Sequence, residues 1–187
     1  MNESLDFSPE DIELMLSNLD VFNETEALEI DRMVDELNNR TANASAYNDL
    51  IEFCKLMMPE FIVGKHHRIL ADMLMAIERG EKDRICVNIP PRHGKSQLVS
   101  IFFPAWFLGR NPGKKVMMVS HTTDLAVDFG RKVRNLIASD DYRAIFPTVK
   151  LAQDSKSAGR WNTNVGGEYY ACGIGSALAG RGADLLL

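Results

Sequence analysis

The sequence is poor in cysteine and has neither a long apolar run nor a repeated unit, and each shortage removes a class of protein. Its three cysteines, Cys54, Cys86 and Cys172, are scattered. Without C-x-x-C spacing they form neither a disulfide framework nor a zinc site, so all three read as small packed hydrophobes in a reducing cytoplasm. No apolar stretch approaches the roughly 18–20 residues of a membrane helix; the nearest, Ile101–Leu108, is interrupted by Pro104. The opening MNESLDFSPEDIE is acidic and lacks the basic start and apolar core of a secretion signal. Membrane and disulfide-rich secreted classes are thereby set aside.

What remains is an ordinary globular composition. At 187 residues, 45% hydrophobic and 25% charged, the chain can bury one sizeable core. The net charge of −5 is unevenly spread: residues 1–45 carry 12 acidic and 2 basic side chains, and residues 46–187 carry 14 acidic and 19 basic. The first part repels nucleic acid, whereas the second is compatible with it. Ser8-Pro9-Glu10-Asp11 has the form of a helix start, and Asn23 caps a second acidic helix bearing Leu28, Met33, Val34 and Leu37. Thr41–Ala46 (TANASA) reads as a small-residue linker. Residues 1–45 are therefore expected to form an acidic helical appendage, and 46–187 a separate domain.

Within that domain, residues 48–58 read as a helix stopped by Pro59, and His66–Arg79 as another with Ile69, Leu70, Met73, Leu74 and Ile77 on one face, ended by Gly80. A strand is expected over 85–89, followed by a helix from Ser96 that Pro104 should kink or end near Phe103. Lys115–Ser120 reads as a buried strand. Thr122 caps a helix with Leu125, Phe129, Val133 and Leu136 inward, and residues 161–164 and 168–172 form a hairpin. The alternation predicts an α/β domain with a mainly parallel sheet. Ala183–Leu187 (ADLLL) reads as the opening of a further buried strand, so the sequence is expected to be C-terminally incomplete.

The chemistry concentrates in Arg84–Ser96, RICVNIPPRHGKS. An apolar run passes through Pro90-Pro91 into Gly94-Lys95-Ser96 and then a helix, the context in which a GK[ST] triplet cradles phosphates. Loop N–H groups and the helix start face the anion, with Lys95 reaching the terminal phosphates and the Ser96 hydroxyl on Mg²⁺. The usual first glycine of the pattern is replaced by Ile89. The bland alternative is a βα turn with a surface lysine.

PPRHGKS resembles the Walker A loop of phage terminase large subunits, the ATPase motors that pump DNA into procapsids. The likeness extends to FIVGKHHRILADMLMAIERGEKDR upstream and to FPAWFLGRNPGKKVMMVSHTTDLAVDFGRKVRNLI and GSALAGRGADLLL downstream, over roughly residues 47 to 187. The resemblance implies a P-loop NTPase (RecA/ASCE-like) fold, ATP and Mg²⁺ as cofactors, and Pro91, Arg92, His93, Gly94, Lys95 and Ser96 as the nucleotide loop. It also places His67 where the family reads adenine, usually with a glutamine. Gly180-Arg181-Gly182, just ahead of the final strand, allows a tight loop that holds Arg181 clear of the fold as an arginine finger on a neighbouring copy, the alternative being a loop arginine on a surface carboxylate. Implied partners are double-stranded DNA, a portal protein, a small terminase subunit and further copies of the chain in a ring, in the host cytoplasm. By the same resemblance the Walker B acids and a nuclease would follow Leu187, so this chain is expected to hydrolyse ATP poorly or not at all. A helicase-like P-loop ATPase and a non-catalytic binding or assembly module remain open alternatives. Arg110, Lys114, Lys115, Arg131, Lys132 and Arg134 are candidates for DNA phosphates, with a solvated basic face the commoner explanation. Trp106, Phe107 and Trp161 read as packing residues.

Overall fold

A computed structural model of the protein describes residues 14, 17, 23–153, 157–176 and 180–187. The helix read from Ser8 onward falls almost wholly outside them. The chain divides into two compact units, residues 1–42 and 43–187. In the first, α1 (Glu24–Asn48) begins on a reciprocal cap. The Asn23 side chain accepts from the Thr25 and Glu26 N–H groups, and Glu26 reaches back to the Asn23 N–H. TANASA is helical rather than extended: residues 41–46 continue this helix, and the division between the two units at 42/43 falls within them. Alanine is the best helix former and no glycine or proline interrupts the run, so small residues alone do not break it.

Two short helices follow in the second unit. In α2 (Leu50–Met57) Asp49 caps the Ile51 and Glu52 N–H groups and also binds the Arg68 guanidinium at 2.6 Å. In α3 (Lys65–Glu78) the buried face is Leu70, Ala71, Leu74, Met75 and Ala76, while Ile69 and Met73 are exposed. The predicted stripe was thus rotated, because a count of large apolar residues overlooks alanines that permit close packing. Gly80 ends the helix with φ +74° as expected.

Residues 84–90 do not form the expected strand. The apolar pattern is present, but a strand exists only through a neighbour's backbone, and none of the described strands pairs with this segment. Beyond it the chain is helical from Lys95 to Arg110 in three pieces: α4 (Lys95–Gln97), a π-helical turn (Leu98–Phe102) and α5 (Phe103–Arg110). Pro104 therefore does not end the helix; the departure from α-helical geometry lies in the turn just before it. The wider turn, closed by the Phe103 N–H on the Leu98 carbonyl, absorbs the proline immediately after it. Phe103 through Gly109 are all buried, so α5 forms the centre of the helical layer. Its Trp106 indole donates to the Ala46 carbonyl at 3.0 Å, and its Ala105 carbonyl accepts from the Tyr142 hydroxyl at 2.9 Å. The boundary read at residue 45/46 hence lies inside α1, one residue from a buried anchor.

The sheet holds β1 (Lys115–Ser120), β2 (Arg160–Asn162), β3 (Glu168–Gly173) and β4 (Leu185–Leu186) in the order β2-β3-β1-β4. β1 runs parallel to β3, from Lys115↔Glu168 to Ser120↔Gly173, and parallel to β4 at Val116↔Leu185. β2 and β3 form the expected antiparallel hairpin. The fold is thus mixed α/β, a four-stranded and mainly parallel sheet flanked by helices. β1 is covered by α6 (Thr123–Ala138), which Thr122 caps, and α7 (Asp140–Ile145) follows. The fully buried face of α6 is Ala126, Gly130, Val133 and Ile137; of the predicted set Val133 is on it, Phe129 and Leu136 pack partly against the core, and Leu125 is exposed.

Gly130 explains the displacement. Its carbonyl accepts from the Trp161 indole at 3.2 Å, and Trp161 stacks on Tyr169 with ring centres 4.8 Å apart. A Cβ at 130 would lie 2.6 Å from the Ala158 carbonyl oxygen and 2.9 Å from the Tyr169 ring. Helix propensity favours alanine over glycine by about 1 kcal/mol, but overpacking against fixed backbone costs about 1–3 kcal/mol. Gly130→Ala is therefore expected to lower unfolding free energy, measured in urea, despite its better helix propensity. A gain in stability would show that Tyr169 gives way freely.

Candidate functional site: the 91–96 loop

The loop has an unusual backbone. Arg92 is left-handed with φ +62°, the one non-glycine residue with positive φ among those described, and Gly94 follows at φ +72°. For arginine this conformation costs about 1–2 kcal/mol, so the surroundings must enforce it. His93, between the two, bonds its Nδ1 to the Pro91 carbonyl at 2.8 Å. The helical stretch beginning at Lys95 has no side-chain cap, and its first internal bond is Leu98 N–H to the Gly94 carbonyl. The N–H groups of Lys95, Ser96 and Gln97 precede that bond and stay available for an anion.

Lys95 is half-buried and Ser96 exposed, and both line a cavity of about 700 Å³ with Ser100, Phe103, the extended residues Ile85 and Val87, and the end of the chain from Ala183 to Leu187. No carboxylate pairs with Lys95 among the described residues. Asp184, on the cavity wall, is taken by the Lys114 ammonium at 2.8 Å and the Lys115 N–H at 2.8 Å, which hold its carboxyl below the usual range. A half-buried ammonium beside an uncapped helix start is an electropositive point without a protein counter-ion. Ser96 supplies one hydroxyl to any divalent ion there; no group of three metal-binding side chains exists among the described residues.

His67 belongs to the same place for a different reason. Its ring is buried, 6% exposed, with Phe61 against it at 5.0 Å between ring centres. Nδ1 accepts the Gly64 N–H at 3.0 Å, so the proton sits on Nε2, which donates to the His93 carbonyl at 2.9 Å. His66 Nε2 lies 3.1 Å from that nitrogen and 3.2 Å from the same carbonyl. Both nitrogens of His67 are therefore engaged inside the protein. The histidine pair converging on the loop was not legible in the sequence: twenty-six residues separate His67 from His93.

Arg181 is not brought to this loop within one copy of the chain. Its guanidinium lies 4.1 Å from the Tyr170 ring centre and lines a second cavity, of about 350 Å³, with Lys115, Arg160 and Glu168. The other basic candidates are mostly engaged. Arg110 bonds Glu78 at 3.0 Å and lies over both Tyr47 and Trp106, while Arg131 and Lys132 pair with Asp128. Cys54 and Cys172 are buried as read, with the Cys54 thiol pushed above its ordinary range by burial; Cys86 is exposed, contrary to the reading, because its segment is not covered by a neighbouring strand. No described helix is long and apolar enough to cross a membrane.

Burial depresses the His67 pKa from the ordinary 6.5, assisted by the neighbouring His66 and His93 and opposed by the His93 carbonyl. The unfolded chain therefore takes up a proton that the folded chain refuses. Stability is expected to fall as pH drops below about 6.5, and less so in His67→Gln, as read by urea unfolding at stepped pH. Parallel curves for the two proteins would remove His67 from the acid response.

Residues 86–162, which take in the loop, the helices from α4 to α7, β1 and β2, match the family described as terminase large subunit, T4-like virus type, N-terminal. No curated protein and no solved structure matches the chain. That match supports a region similar to the N-terminal part of terminase large subunits, a family that suggests an enzyme with a role in phage DNA packaging.

Proposed function

We propose that the unit 43–187 is the nucleotide-binding part of an ATPase that drives double-stranded DNA into a viral procapsid, built on a P-loop NTPase fold. The observation that carries this reading is the half-buried, unpaired Lys95 beside Ser96, at an uncapped helix start behind a loop with two left-handed residues. In this reading Lys95 lies among the β- and γ-phosphate oxygens of ATP, where charge grows during phosphoryl transfer. The freed N–H groups of the loop and of Lys95–Gln97 hold the remaining phosphate oxygens. Mg²⁺ would be held by Ser96 and the nucleotide's own oxygens, and supplies further neutralisation there. Arg92 extends from the loop toward solvent, where it is positioned to follow the terminal phosphate.

Arg181 fits this reading as a contact to a neighbouring copy, since in its own copy it is stacked on Tyr170 away from Lys95. DNA, a portal, a small terminase subunit and a homo-oligomeric ring are the partners that the terminase reading brings with it, in the host cytoplasm. Hydrolysis also needs carboxylates to hold Mg²⁺ from its second side and polarise water. Asp184 is already bound to Lys114, so nucleotide binding rather than turnover is the activity to measure on this chain.

Titration of a fluorescent ATP analogue with Mg²⁺ is expected to show saturable binding. Lys95→Ala should weaken it by about tenfold or more, equivalent to ~1.4 kcal/mol, with far-UV circular dichroism unchanged. Equal affinity in a folded Lys95→Ala protein would refute the nucleotide reading.

A further inference from the structure

A trans peptide fixes two directions at once, because the carbonyl of one residue and the N–H of the next lie in one plane and point in opposite directions within it. No peptide bond here is cis. The His93 carbonyl is held on the α3 side by His67 Nε2 at 2.9 Å, with His66 Nε2 3.2 Å away. The Gly94 N–H is thereby turned to the other side of the loop. On nothing but peptide geometry, His67 sets which way one of the loop's anion-facing donors points.

The anchor behind His67 is itself rigid. Gly64 precedes α3 without a side chain to cap it, and His67 takes over by accepting the Gly64 N–H at 3.0 Å. The ring is clamped by Phe61, which in turn meets Phe102 of the π-helical turn at 5.7 Å between centres. Gly94 closes the arrangement: any Cβ there would overlap His67 Nε2. The left-handed glycine and the buried histidine thus require each other, one for backbone conformation and one for space.

We propose that His67, in its Nε2–H form, is a tether that presets the phosphate loop, a positioning residue that acts through the His93–Gly94 peptide and does not read the base. This rests on the nucleotide reading above, since the donors it aligns are those assigned to phosphate. It differs from base recognition in what it affects. A reader of adenine discriminates between nucleotides, whereas a tether of the loop acts on every polyphosphate alike. The groups facing the ring are His66 on its own helix and His93 on the loop. Protonation of His67 at Nδ1 would set an N–H against the Gly64 N–H and break the anchor. The same tether therefore loosens in acid.

The test uses the full chain and two variants. His67→Gln keeps one acceptor for Gly64 and one donor for His93 in a side chain of similar reach; His67→Leu fills the space with neither. Each is titrated with ATP, GTP and inorganic tripolyphosphate in Mg²⁺. The leucine variant is expected to weaken all three equally, by about tenfold, and the glutamine variant to stay within about threefold of wild type. A loss confined to ATP would overturn the tether in favour of base reading, and unchanged binding in His67→Leu would overturn it outright. Nitrogen-15 NMR of the imidazoles supplies a readout independent of ligand. An Nε2–H tautomer, with a Gly64 amide whose slow exchange is lost in His67→Leu, supports the tether. An Nδ1–H tautomer or a fast-exchanging Gly64 amide in wild type refutes it. Absence of binding by wild type to all three ligands would instead refute the nucleotide reading, leaving the tether to be decided by the NMR measurement alone.

Discussion

A loop that passes through two left-handed residues within three positions cannot hold itself, and this constraint organises the structure around it. Glycine meets the requirement at 94 without a penalty, whereas Arg92 does not. The stabilisation has to come from hydrogen bonds to the loop's carbonyls, from within it and from α3, and from packing beneath it. The Pro91 carbonyl is taken by His93 and the His93 carbonyl by His67. Below, Phe61 and Phe102 join the start of α3 to the helical stretch that leaves the loop. Helix α3 is thus more than a layer of the core. Its first turn is the fixed point from which the loop hangs.

The same dependence accounts for the buried helix α5. A Pro at 104 is costly inside an α-helix because the ring collides with the carbonyl four residues before it. The π-helical turn widens the backbone just there, and the helix then runs on through seven consecutive buried residues. What anchors it are single polar atoms in an apolar layer: the Trp106 indole on Ala46, the Tyr142 hydroxyl on Ala105 and the Arg110 guanidinium shared by Glu78 and the Tyr47 carbonyl. Each leaves few orphaned groups in the core, so the wide turn is tolerated at little cost.

Much of this was legible in the sequence, and the failures have physical causes. Caps and hairpins are local chemistry, so Asn23, Thr122 and the β2–β3 pair were readable. GKS after an apolar run was enough to find the loop. Which face of a helix is buried is decided by a neighbour, and on α6 that neighbour is an aromatic pair that demands a glycine. Counting large side chains therefore selected Leu125 where Ala126 and Gly130 were wanted. TANASA does contain the division between the two units, yet it is helical: small residues suggest an open linker only when no partner claims them, and Ala46 is claimed by Trp106. The histidines failed because their meaning lies in a contact across 26 residues. The family resemblance offered a base reader at His67; the ring is buried with both nitrogens hydrogen-bonded inside the protein.

The segment before the loop shows how far a local pattern can be trusted. Ile85, Val87 and Ile89 alternate as a strand should, and all three pack against the core, yet no described strand pairs with them. Side-chain burial and backbone pairing are separate requirements, and only the first is written in the residues of the segment itself. Across the cavity, β4 pairs with β1 along one edge and leaves the other unpaired, with Leu186 exposed. Two backbones with unmet hydrogen-bonding capacity thus face a common space, and Lys95 and Ser96 open onto it. The loop's chemistry and the sheet's edge are therefore not independent. Whatever orders that space sets the dielectric around Lys95, and with it the strength of any charge interaction the lysine makes.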